Sequence, residues 1–100
     1  MKIDVFNKYV DLITKRFGIT QEQLFSKSKR RDIVDARQML YYMCLRRNMN
    51  VCYIQEYMCK NGYNIGHSTI VYGINQVKFR IDQDNDYEPI VKSLEREVTI

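Results

Sequence analysis

Apolar positions recur at spacings of three and four along most of the chain. Ile3, Phe6, Val10, Ile13 and Phe17 fall on one helical face. Gly18 follows, where a helix end favours positive φ. Thr20, with Gln23 three residues on, has the pattern of a capping box for a short helix over Gln21 to Phe25. Ser26 to Arg31 is polar and basic without periodicity and reads as a flexible loop. Asp32 is placed to cap the next helix, whose stripe Ile33, Ala36, Leu40, Met43 and Cys44 runs to about Arg47. Asn50 caps a further helix with Val51, Ile54, Tyr57 and Met58 on its apolar side, and Asn61-Gly62 ends it. After the polar turn Tyr63 to Gly66, Ile70, Ile74, Val77 and Ile81 mark another helix, broken at Gln83-Asp84-Asn85. A last helix starts near Asp86 as cap, tolerates Pro89 in its first turn, and is pinned by Ile90, Leu94 and Val98. Strand alternation is sustained nowhere. The pattern predicts an all-α, compact bundle of six helices, with residues 1–100 as a single domain.

Composition agrees: one Pro and four Gly among 100 residues are too few for a turn-rich sandwich. Charge sharpens the picture through its distribution more than through the net +4. Lys27, Lys29, Arg30, Arg31, Arg37, Arg46 and Arg47 crowd the middle of the chain. Asp82, Asp84, Asp86, Glu88, Glu95 and Glu97 crowd its end. A concentrated basic segment suits a polyanion.

Other classes find little support. The start, Met1-Lys2-Ile3-Asp4, leads into no signal-peptide core, and no apolar run approaches the roughly 20 residues that span a bilayer. Cys44, Cys52 and Cys59 are odd in number and lack a Cys-x-x-Cys, so reduced, packed thiols in a cytoplasmic protein are expected rather than disulfides or zinc. One histidine, no phosphate loop and no activated nucleophile leave catalysis without a constellation. No enzyme activity, cofactor, metal or small-molecule substrate is expected.

Residues 50–82 carry more information. A short helix, a turn with Gly62 and Gly66, and a second helix fit a helix-turn-helix, whose second helix presents its first residues to base edges in the major groove. Those residues are His67, Ser68 and Thr69, with Tyr72 and Gln76 continuing the outer face. The run Ser26-Lys27-Ser28-Lys29-Arg30-Arg31 can reach phosphates or a minor groove. A plain helix hairpin and a solvated charge run are the bland alternatives to these two readings.

Taken in order, these segments make the chain similar to a known family, from about Val10 to Leu94. It resembles the C-terminal DNA-binding domain of the bacterial replication initiator DnaA. Phe17-Gly18-Ile19-Thr20, with Leu24-Phe25 and the basic run, looks like that family's first helix end and basic loop. Ile33-Val34-Asp35-Ala36-Arg37-Gln38-Met39 looks like its Val-x-x-Pro-Arg-Gln helix start. Gly66-His67-Ser68-Thr69-Ile70-Val71 looks like its Gly-Gly-Arg-Asp-His-Ser-Thr-Val signature. The resemblance implies a domain that binds double-stranded DNA as a monomer. It implies base reading by His67, Ser68 and Thr69, a minor-groove cation at Lys29 with Arg31 close by, and backbone contacts from Arg37 and Gln38.

Departures accompany the match. Ile65-Gly66 replaces the family's Arg-Asp, removing a base-reading carboxylate, and the turn from Cys59 to Gly66 is about four residues longer than expected for this motif. One hundred residues leave no room for an ATPase domain, so a free-standing module acting by binding alone is expected. Its expected setting is the bacterial or phage nucleoid, in replication initiation or its regulation, with a replication protein as a further partner. A second reading stays open: a protein-interaction module on the same scaffold, its eight tyrosines serving as interface residues.

Overall fold

The computed structural model describes residues 1–98, and these hold six helices and no strand. In chain order they are α1 (Lys2–Phe17), α2 (Gln21–Leu24), α3 (Arg31–Arg46), α4 (Val51–Lys60), α5 (His67–Gln83) and α6 (Tyr87–Glu97). The all-α bundle with a helix-turn-helix expected from the periodicity is what the chain forms.

Local signals set most of the boundaries. Gly18 stands at φ 67° after α1, and its amide and that of Ile19 close onto the carbonyls of Lys15 and Thr14. A residue with a Cβ is strained there. The capping box of α2 is complete: the Gln23 amide donates to Thr20 Oγ1 at 3.0 Å, and the Thr20 amide donates to Gln23 Oε1 at 2.9 Å. Asn50 caps α4 by accepting from the Tyr53 amide at 3.1 Å.

Two expected caps differ. Asp32 does not cap α3, because the helix begins at Arg31, two residues earlier than such a cap requires, and Arg30 takes the cap position. The Arg30 guanidinium captures the Asp32 carboxylate with bonds of 2.7 and 3.0 Å. Asp86 stands at the cap position of α6 but makes no side-chain cap bond; Asp84 Oδ1 instead accepts from the Asp86 amide at 2.9 Å.

α3 is the axis of the bundle and packs against all the other helices. Ten of its sixteen residues are buried, far more than one amphipathic stripe supplies. Besides the predicted Ile33, Ala36, Leu40, Met43 and Cys44, the buried set takes in Met39, Tyr41, Tyr42, Arg37 and Gln38. One apolar cluster runs through the molecule, with Phe6, Tyr9 and Ile13 of α1 meeting Leu40 and Met43 of α3, Ile54 and Met58 of α4, and Ile70 and Val77 of α5.

The acidic end is tied to the end of α3. Arg46 grips Glu95 through two bonds of 2.8 and 3.2 Å, and Arg47 donates to the Val98 carbonyl at 2.9 Å. α6 buries Val91 and Leu94 and leaves the expected anchor Ile90 only half-buried. The cysteines are free, but only Cys44 is packed; Cys52 and Cys59 are exposed on α4, a short helix whose buried side is Ile54, Tyr57 and Met58. No helix among the described residues is long and apolar enough to cross a membrane.

Candidate nucleic-acid interface

The basic segment between α2 and α3 is built by alternation. The Ser26 hydroxyl donates to the Gln23 carbonyl at 2.6 Å and accepts from the Ser28 amide at 3.3 Å. The Ser28 hydroxyl accepts from the Arg30 amide at 3.2 Å. The serines therefore turn inward and satisfy the backbone. Lys27 falls between the serines, Lys29, Arg30 and Arg31 follow them, and all four are exposed. The expected flexible coil is a hydrogen-bonded loop.

Arg37 completes that loop from beneath. Its Nε donates to the Leu24 carbonyl at 2.9 Å, and one terminal nitrogen donates to the carbonyls of Ser26 and Ser28. Its guanidinium also lies 4.7 Å from the centre of the Tyr63 ring, in the turn before α5. Only 6% of the residue is exposed. The side chain expected on a DNA backbone thus spends its Nε and one terminal nitrogen on three carbonyls of its own chain. A buried guanidinium requires such acceptors.

Gln38 is equally buried. Its Oε1 accepts from Arg80 of α5 at 2.8 Å, and the other terminal nitrogen of Arg80 lies 3.4 Å from Asp35, which also pairs with Arg31 at 3.3 Å. Arg37 and Gln38 therefore link the basic loop, α3, the turn and α5. Gly73 allows the approach: a Cβ there would stand 3.0 Å from the Tyr41 ring and 3.1 Å from Gln38 Cγ. Burial pushes the Tyr41 hydroxyl well above the usual phenol range.

α4, the turn of residues 61–66 and α5 form the helix-turn-helix. Gly62 carries φ 85°, so the turn depends on glycine there, and the Gln55 side-chain amide braces it by donating to the Ile65 carbonyl at 2.8 Å. Gly66 opens α5 without a side chain to cap it. His67, Ser68, Thr69 and Tyr72 are exposed, and Gln76 is half-exposed. A recess of about 200 Å³ lies between α3, the turn and α5: Thr69 and Tyr72 line it together with Arg37, Gln38, Tyr41 and Tyr63. Of the sequence-predicted residues, the four loop cations and the first residues of α5 are exposed, whereas Arg37 and Gln38 are buried.

Electrostatics divide the loop. Arg30 holds the Asp32 carboxyl below the usual carboxylate range, so at neutral pH the charges of this pair offset one another. Lys27 and Lys29 have no such neighbour among the ion pairs of the described residues. Periodicity gave no sign of Asp35, Tyr63, Gly73 and Arg80. A glycine inside the helical run of α5 was the one signal for a close packing contact.

Two relatives are similar to this chain over the same scaffold. Both are chromosomal replication initiator proteins DnaA from Leptospira biflexa serovar Patoc, one from strain Patoc 1 / Ames and one from strain Patoc 1 / ATCC 23582 / Paris. Each is 20% identical over 90 residues, which is 90% of this chain. The chain spans about a fifth of the length of these relatives. No solved structure matches. The model of the bacterial DnaA protein helix-turn-helix family matches residues 7–77, a stretch that takes in the basic loop, the buried Arg37 and Gln38, and the first turns of α5. This chain belongs to that family.

Proposed function

We propose that the chain binds double-stranded DNA with a divided interface. Lys27, Lys29, Arg30 and Arg31 neutralise phosphates and enter the adjacent minor groove. The start of α5 enters the major groove, where His67, Ser68 and Thr69 meet base edges and Tyr72 and Gln76 flank them. One observation carries this reading: Arg37, which holds the carbonyls of Ser26 and Ser28 in the basic loop, also lines the recess formed with Thr69 and Tyr72 of α5. The acidic residues from Asp82 to Glu88 lie at and beyond the far end of α5 and orient its beginning toward the polyanion. Arg37 and Gln38 act from below by fixing loop and helix relative to each other. The names of the relatives support a setting in replication initiation or its regulation.

Selection from a pool of random duplexes tests the reading, followed by paired titrations on the enriched and a scrambled duplex. Ser68→Ala and Thr69→Ala are each expected to lose about 1–3 kcal/mol of discrimination and to leave scrambled-duplex affinity unchanged, because phosphate contacts carry it. Equal losses on both duplexes would remove these hydroxyls from base reading. No binding to any duplex would sink the reading itself.

A further inference from the structure

The outermost line of α5 has a chemistry that points to one kind of base pair. At 3.6 residues per turn, Ser68, Tyr72, Asn75 and Phe79 fall within about 60° of one another. That line is opposite the buried Ile70, Ile74 and Val77. All four are exposed, and the two aromatic rings are the most exposed large apolar side chains of the described residues after Met1, each at 61%. Asn75 is the one side-chain amide on the line.

What the line lacks is as informative. The commonest specific contact to guanine is a bidentate Arg or Lys, and a carboxylate is the acceptor that suits cytosine. Neither cation of α5 lies on the line. Arg80 turns back onto Gln38 and Asp35, and Lys78 sits about a quarter-turn away. The first carboxylate, Asp82, comes after Phe79 at the helix end. An asparagine matches the N6 donor and N7 acceptor of adenine, and apolar groups match the thymine methyl.

We infer, resting on the proposed DNA-binding reading, that the major-groove preference of this chain is for A·T pairs. Asn75 is the adenine-reading residue, and Tyr72 and Phe79 lie against thymine methyls. The loop reinforces the preference from the other groove, because cations are drawn to the narrow minor groove of A-tracts. Asn75 is thereby a specificity-determining residue one helical turn beyond Tyr72 and two beyond Ser68.

The test compares the 100-residue chain on all-A·T, all-G·C and uracil-substituted A·T duplexes of equal length. Replacing thymine by uracil removes only a major-groove methyl and leaves the minor-groove edge unchanged. A·T is expected to be preferred by about tenfold or more, and uracil substitution to weaken wild-type binding several-fold. Asn75→Ala should shrink the A·T preference by about 5- to 150-fold or to parity, the range of one bidentate contact. Phe79→Ala should narrow the gap between thymine and uracil duplexes, and Phe79→Ala with Tyr72→Ala should close it. All three side chains are exposed, so the substitutions leave the core intact. Equal affinity for A·T and G·C duplexes overturns the inference. So does an A·T preference that survives both Asn75→Ala and uracil, since it then lies in the loop alone. Failure to bind any duplex counts against the parent reading instead.

Discussion

The basic loop and the start of α5 are both exposed but are built on opposite plans. In the loop the backbone is held from within: serines turn inward, Arg37 holds three carbonyls, and what remains outward is charge on long side chains. At the start of α5 the backbone is left open by Gly66, and what remains outward is short hydroxyls and an imidazole. Long cations tolerate many positions of a phosphate, whereas a hydroxyl on a fixed helix tolerates few positions of a base. On the proposed reading, the difference gives affinity to the loop and selectivity to the helix.

The strongest way to break that division is to remove the loop's charge. Lys27→Ala, Lys29→Ala, Arg30→Ala and Arg31→Ala together are expected to cost one or more orders of magnitude in affinity on every duplex. The slope of log affinity against log salt should fall by roughly 0.9 for each phosphate that is no longer neutralised. A salt series on the enriched and scrambled duplexes reads both effects, and an unchanged slope would take the loop out of the interface.

Arg37→Lys sharpens the comparison by keeping charge and deleting geometry. If Arg37 touched phosphate, a lysine would largely replace it. Because its fork spans three carbonyls, the variant is expected to lose about 1.5–3 kcal/mol of unfolding free energy, the scale of hydrogen bonds to a charged group. Affinity should fall on all duplexes with the salt slope retained. Urea unfolding beside the salt series distinguishes the two roles, and wild-type stability in the variant would refute the positioning role.

The smallest effect is expected at Asp32. Asp32→Asn frees Arg30 and removes a negative charge from the loop, so duplex binding should strengthen by a few-fold at low salt and less at high salt. Acid does the same to the wild type. A carboxyl held below its ordinary range keeps its charge, and the pair its stabilisation, above that range. Both disappear as pH falls through the lowered value. A titration at two ionic strengths checks it; weaker binding by the variant would show that the pair shapes the loop instead of muting it.

What could be read from the residues in advance follows from how far each interaction reaches. Gly18, the Thr20 capping box and the Asn50 cap were legible because each is settled within three or four residues. Asp32 misled because a nearer competitor, Arg30, claims its carboxylate. The exposed Cys52 and Cys59, and the burial of Val91 more deeply than Ile90, depend on which side of a short helix meets the bundle. Periodicity over ten residues fixes that poorly. For the interface, residue types marked the outward groups, since charge and hydroxyls announce themselves. The fate of Arg37 and Gln38 was illegible: their partners lie nine to thirteen residues back and 42 residues ahead, and no local pattern records such a contact.

Gly73 gives this architecture a mechanical character. It seats α5 on α3 near the middle of the helix, with nothing between its Cα and the Tyr41 ring. A beam supported at its centre transmits any shim as a tilt. His67 lies six residues before that fulcrum, about 9 Å along the axis, so a tilt of about 10° displaces the start of α5 by roughly 1.5 Å. That is half a hydrogen-bond length, enough to take a hydroxyl off a base edge. Heritable change in which DNA this chain prefers can therefore arise at a residue that never faces the duplex, by a single added methyl group.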